Sequence, residues 1–313
     1  MKFSKKIVTV CILLFAMLFL FNKNSQAQQD PQYSQYMYNH FIVNPAFAGS
    51  RDVMTASTVL RYQWANFDGA PRTQTLNVCS PLKRKKIGLG MNIVSDELGP
   101  KKAFRFMGSY SYHIKLPNRA RLAFGIRGGG SSFTINTAKI TFKDQADIYN
   151  TGGIVRTIVP SADFGMYYYS KNTYISFAAS QLLSGQISAN KSLPEVIRLK
   201  PHLFFAAGQA IQVSRGIILS PSVMVRAVNN SPVGMDLNLN CRIEERIWVG
   251  ASYRKNVGLV LLTQIAITEK LKFGYSYDYG LNRLGTVAGA THEFFLGYDI
   301  DIFKSKIYST RFL

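Results

Sequence analysis

Four histidines, two cysteines beyond the leader and a patch of serines are the residues of this chain that could carry chemistry. His40, His113, His202 and His292 stand at none of the spacings of a metal-binding pair such as HExxH or HxH. Ser109, Ser111 and His113 share one face of a predicted strand. Nucleophilic catalysis would need a serine, a histidine and an acid or amide converging on one point. Same-face positions along a strand are instead strung out at about 6–7 Å. The trio reads as polar lining, and the chain as a non-enzyme. Cys79 and Cys241 have no CxxC neighbour, so no metal site is expected, and whether they pair is open. Gly88/Gly90, Gly128–Gly130 and Gly152-Gly153 lack the strand–loop–helix setting of a phosphate cradle. They read as relief of crowding or as bends. No cofactor is implied.

The elements that position these residues are strands. Ile87, Leu89, Met91 and Ile93 alternate with Gly88, Gly90 and Asn92. Phe104, Phe106, Tyr110 and Tyr112 oppose Arg105, Ser109, Ser111 and His113. Met235, Leu237 and Leu239 alternate with Asp236, Asn238 and Asn240, and Leu271 to Tyr279 repeats the pattern. A period of two with one apolar and one polar face, over about 10 residues, is the pattern of a strand with lipid on one side and water or polar groups on the other. About fourteen such strands run from Asp52 to Gly297. The connections on one side, such as 80–86, 115–120 and 170–172, are brief, and the long ones, 135–159 and 185–199, share the other. The expectation is an all-β chain forming a single transmembrane antiparallel β-barrel. Closure is required because an open sheet edge cannot lie in hydrocarbon. A soluble sandwich would also alternate. The 21 Phe and 17 Tyr, many near strand ends, argue against it as interfacial girdles. Tyr62, Trp64, Phe67, Tyr167–Tyr169, Tyr277, Tyr279, Phe294 and Phe295 are assigned to them.

Residues 1–27 read as a cleaved secretory signal: Lys2, Lys5 and Lys6, an apolar run over 7–21, and Ser25-Gln26-Ala27. The four leader lysines account for part of the +20 net charge, leaving +16 on the mature chain. Residues 28–51 are expected to form a periplasmic N-terminal strap, 52–297 the outer-membrane barrel and 298–313 a basic periplasmic tail. An even strand number puts both termini on the short-turn side, which in such barrels faces the periplasm of a Gram-negative cell.

The strap carries a double motif: Asp30-Pro31-Gln32-Tyr33-Ser34-Gln35-Tyr36-Met37, then Asn44-Pro45-Ala46-Phe47-Ala48-Gly49-Ser50. With the closing segment Thr291-His292-Glu293-Phe294-Phe295-Leu296-Gly297-Tyr298, it resembles the PorP/SprF family of type IX secretion and gliding proteins. The resemblance implies a non-enzymatic outer-membrane component that binds or tethers secreted cargo through its C-terminal signal domain, links to the periplasmic ring components of the translocon, or does both, and supports gliding motility. The motif residues Asp30 to Tyr36, Asn44, Pro45, Ala46, Gly49 and Ser50 are candidates for partner binding. The alternative function is a porin-like or apolar-solute channel.

Lys83-Arg84-Lys85-Lys86 forms a basic periplasmic turn, and Lys304, Lys306 and Arg311 lie in the tail. Nucleic acid is excluded as a partner in the envelope. Outer-membrane lipid and an acidic periplasmic protein remain.

Overall fold

The computed structural model describes residues 31–82, 86–142, 153–183, 186–187 and 197–302. The leader, Gln28–Asp30, Lys83–Lys85 and the tail after Ile302 lie outside that set.

The two-residue period builds one antiparallel sheet that closes on itself. Its strands are β1 (Met54–Tyr62), β2 (Arg72–Pro81), β3 (Ile87–Leu98), β4 (Lys101–Lys115), β5 (Arg121–Asn136), β6 (Ile154–Tyr169) and β7 (Thr173–Ser180). β8 (Gln186–Ile187) and β9 (Ile197–Arg198) pair with each other as a separate two-stranded sheet. The wall resumes with β10 (His202–Gln209), continued past Ala210 by β11 (Ile211–Gln212). It finishes with β12 (Ile217–Val228), β13 (Gly234–Ile243), β14 (Ile247–Arg254), β15 (Gly258–Ala266), β16 (Leu271–Gly280) and β17 (Thr291–Ile300). Counting β10 and β11 as one, fourteen strands form the wall. β1 closes it against β17, from Met54↔Ile300 to Tyr62↔His292. No helix among the described residues is long and apolar enough to cross a membrane; the one α-helix among them, α1, is Arg283–Ala288 in the last loop.

The two faces meet different surroundings, as the alternation requires. Ile126, Ile158 and Leu261 point outward and are 60%, 74% and 61% exposed. Ser111, Glu293 and Arg254 point inward and are buried. An outward apolar band and an inward polar lining describe a barrel whose solvent is lipid.

Two expectations need correction. Tyr167, Tyr169 and Phe295 belong to the lumen, not to an interfacial girdle, and each is nearly inaccessible. The reason is the pleat: neighbours in an aromatic run face opposite sides, so only Tyr168 and Phe294 of those runs look outward. The long loop after β5 is shorter than 135–159. Ile154–Val159 stays paired with β5 up to Asn136↔Ile154, and strand pairing there overrides the mixed polarity of Arg156 and Thr157. The strap, whose position relative to the wall the sequence leaves open, lies inside the barrel. Residues 33–36, 39–42 and 44–50 are buried, and their partners are inward-facing wall residues.

Candidate functional site

The strap is held inside the lumen because most of its buried polar groups meet partners on the wall. It contains two short 3-10 turns, His40–Ile42 and Pro45–Phe47, each started by an asparagine. Asn39 Oδ1 accepts from Phe41 N–H, and Asn44 Oδ1 accepts from Ala46 N–H at 2.9 Å. The other end of the Asn44 amide donates to the Met166 carbonyl, Ser176 Oγ and the Phe177 carbonyl at 2.9, 2.8 and 3.1 Å. One side chain thus starts a turn and ties it to β6 and β7. Pro45 follows at the first position of its turn, where its fixed φ suits and its missing N–H costs nothing.

Room for the strap is made by glycine. A Cβ at Gly88 would run into the Ala48 carbonyl, and one at Gly125 into the Ala46 backbone. The sequence reading of Gly88/Gly90 as relief of crowding is therefore met, with the strap as the crowding element. Two residues on from Gly125, Arg127 reaches in from β5. Its guanidinium donates to the Phe41 and Ile42 carbonyls and to Ser109, lies 4.8 Å from the centre of the Phe41 ring, and is 3.6 Å from Asp163. His40 and Phe47 pack against Tyr167, and His40 also against Tyr174.

The Ser109/Ser111/His113 patch is occupied by the strap. Ser111 Oγ donates to the Ala48 carbonyl at 2.6 Å, and His113 Nε2 lies 2.8 Å from the same oxygen. His113 Nδ1 meets the Tyr169 hydroxyl at 2.9 Å, where a catalytic histidine would carry an acid. Cys79 points into the lumen beneath the strap, whereas Cys241 shares the outward side of β13 with Leu237 and Leu239. Both are free thiols, on opposite faces of the wall.

The other half of the double motif meets a chain of buried charges. Across β12, β13, β14, β16, β17 and β1 run Arg226, Asp236, Arg254, Asp278, Glu293 and Arg61. Arg226 is 2.5 Å from Asp236, which is 3.4 Å from Arg254. Arg254 is 3.7 Å from Asp278, and Arg61 spans Asp278 and Glu293 at 2.8 and 2.9 Å. Three cations and three anions balance, so the group carries no net charge. Ser34 sits in its centre. Its N–H and that of Gln35 donate to the Glu293 carboxylate, and its hydroxyl donates to Asp278 at 2.7 Å and accepts from Arg61 at 2.9 Å. Tyr33 meets Thr75 at 2.7 Å, and Asn238 donates to the Tyr36 hydroxyl at 2.8 Å. Burial holds the Tyr36 phenol above its ordinary pKa range, reinforced by Asp236; burial does the same to Tyr38. Both stay neutral hydrogen-bonding groups.

Of the motif residues, Tyr33, Ser34, Gln35, Tyr36, Asn44, Pro45 and Ala46 thus converge on the inner wall. Gly49 turns the chain with φ +70° and Ser50 closes that turn onto Phe47. Pro31 and Gln32 line a cavity of about 50 Å³ above Ile42 and Val43. Asp30 and Lys83–Lys85 lie outside the described residues; Lys86 is exposed on the turn-side rim. The charged group around Ser34 was not singled out from sequence. Its available signal is a charge placed on the small or polar face of a strand, as at Asp236, Asp278 and Glu293.

No curated protein matches the chain. Among solved structures, the toluene transporter TodX of Pseudomonas putida superposes with a TM-score of 0.50 at 9% identity, covering 84% of this chain and 94% of that one. The monoaromatic hydrocarbon channel CymD gives 0.49 at 11%, covering 85% and 92%, and Omp33 of Acinetobacter baumannii 0.47 at 7%, covering 79% and 98%. The likeness to TodX concerns the barrel fold. The family model described as type IX secretion system membrane protein PorP/SprF matches residues 25–298. The chain belongs to that family and is an outer-membrane β-barrel of type IX secretion.

Proposed function

We propose that this protein is a non-enzymatic holder: it tethers secreted cargo, through the cargo's C-terminal signal domain, at its long-loop end and engages periplasmic components of the translocon at its short-turn end, in support of gliding motility. The observation that carries this reading is the filled lumen. A barrel whose interior is hydrogen-bonded to its own strap offers its two rims for work, not a pore. The wall then begins and ends on the periplasmic side, and the strap runs from β1 up through the lumen to the long-loop ends of β1, β16 and β17, where Ser34 meets Arg61, Asp278 and Glu293. Removing loop 185–199 while keeping the wall intact is expected to release cargo into the medium. Unchanged surface retention would count against tethering.

The channel reading makes an opposite demand. Reconstituted in planar bilayers, the intact chain is expected to be non-conducting. A steady conductance with the strap in place would favour transport.

A further inference from the structure

The basic residues of the turn-side rim are not spread evenly around it. Four successive turns, β2–β3, β4–β5, β6–β7 and β11–β12, with the strand ends beside them, carry Lys86, Lys115, Arg119, Arg121, Lys171 and Arg215. No Asp or Glu stands in these turns or next to them. The remaining rim, from the β13–β14 turn round to the start of β1, holds six acids: Glu244, Glu245, Glu269, Asp299, Asp301 and Asp52. There the charges meet each other: Arg51 with Asp299 at 2.6 Å, Lys272 with Asp299 at 3.4 Å, Lys270 with Asp301 at 3.1 Å and Arg242 with Glu245 at 3.9 Å. Among the described residues, one part of the rim pairs its charges, and the other is a cationic crescent.

Six strand spacings separate the first and last turns of the crescent. At about 4.8 Å between strands and a tilt near 40°, that is an arc of roughly 40 Å. Lys86, Lys115, Arg119, Lys171 and Arg215 are exposed along it. Lipid surrounds a barrel on all sides, so headgroup binding alone would call for basic residues all round. A one-sided arc fits a partner that docks from one side. The lumen does not absorb this charge, because the group around Ser34 is already balanced.

We propose that the crescent is the docking face for a protein that presents a row of carboxylates to the turn-side rim. This rests on the reading that the short turns face the periplasm and the translocon, and it adds the sidedness and the chemistry of the partner. Electrostatic docking of this kind sets orientation and association rate, and is screened over about 8 Å at physiological salt.

The test compares two reversals in the full chain in detergent: Lys86→Glu with Arg119→Glu, Lys171→Glu and Arg215→Glu, against Arg246→Glu with Lys270→Glu. The probe is a ten-residue polyglutamate peptide. Crescent reversal is expected to weaken its binding about tenfold or more, and the control reversal less than about twofold. Equal losses would overturn the idea. The matching glutamine variants, expected to fall between, guard against misfolding, as does heat-shifted gel migration of each variant. In nanodiscs containing phosphatidylglycerol, loss of bound lipid with unchanged peptide binding would assign the crescent to the membrane and overturn the proposal. In cells, a photo-crosslinker at Ser214 is expected to trap a protein, and one at Thr268 not; equal trapping overturns the sidedness. Cargo release on deleting loop 185–199 is scored separately, so tethering can stand if the crescent fails.

Discussion

At the scale of single residues, Ser34 and Arg61 have unequal duties. Ser34→Ala removes a hydroxyl that joins Asp278 to Arg61, and is expected to cost about 1–3 kcal/mol. Arg61→Met leaves Asp278 and Glu293 buried side by side without their shared cation, for a cost of roughly 3–5 kcal/mol. Denaturant titration followed by heat-shifted gel migration checks both. Equal losses would mean that the charges, and not the strap, contribute little to holding the interior. Asn44 illustrates how a motif becomes legible only with partners. Its sequence signal is a turn before proline, and its second duty, three hydrogen bonds to β6 and β7, lies 122 or more residues away.

At the scale of elements, the strap is a plug whose fit can be probed through Cys79. In the intact protein this thiol is covered, and a water-soluble maleimide is expected to leave it unlabelled. Gly125→Val drives a side chain into the Ala46 backbone and is expected to displace the strap and expose Cys79. Labelling that does not change would mean the wall, not the strap, shields the thiol. Deleting residues 31–50 should go further and give the reconstituted barrel a conductance that the intact chain lacks. The strands themselves were readable from alternation, and β1–β7 and β12–β17 stand close to where the period places them. The ends of β5 and β6 were less so, because pairing with a neighbour, not the strand's own pattern, extends them.

At the scale of the whole molecule, charge is sorted by position. The lumen balances its ions around Ser34. On the rim, the acids gather in one arc and the bases dominate another. A purified chain is accordingly expected to lose affinity for acidic surfaces steeply as salt rises, while its fold, held by pairing and buried ions, does not respond. Circular dichroism and polyglutamate binding measured across the same salt series separate the two; parallel losses would show that salt acts on the fold.

The sequence by itself determined the wall and the family. Alternation is a local property, since the side-chain period of a strand is fixed by backbone geometry, and the double motif lies within one continuous stretch. It did not place that stretch. The strap's serine, asparagines and aromatic residues would suit an external docking segment equally well. Only closure of β1 on β17 brings Glu293, Asp278 and Arg61 around Ser34, and only the barrel's curvature sets Gly88 and Gly125 against Ala48 and Ala46. Those contacts join residues up to 259 apart in the chain, and no local period records them.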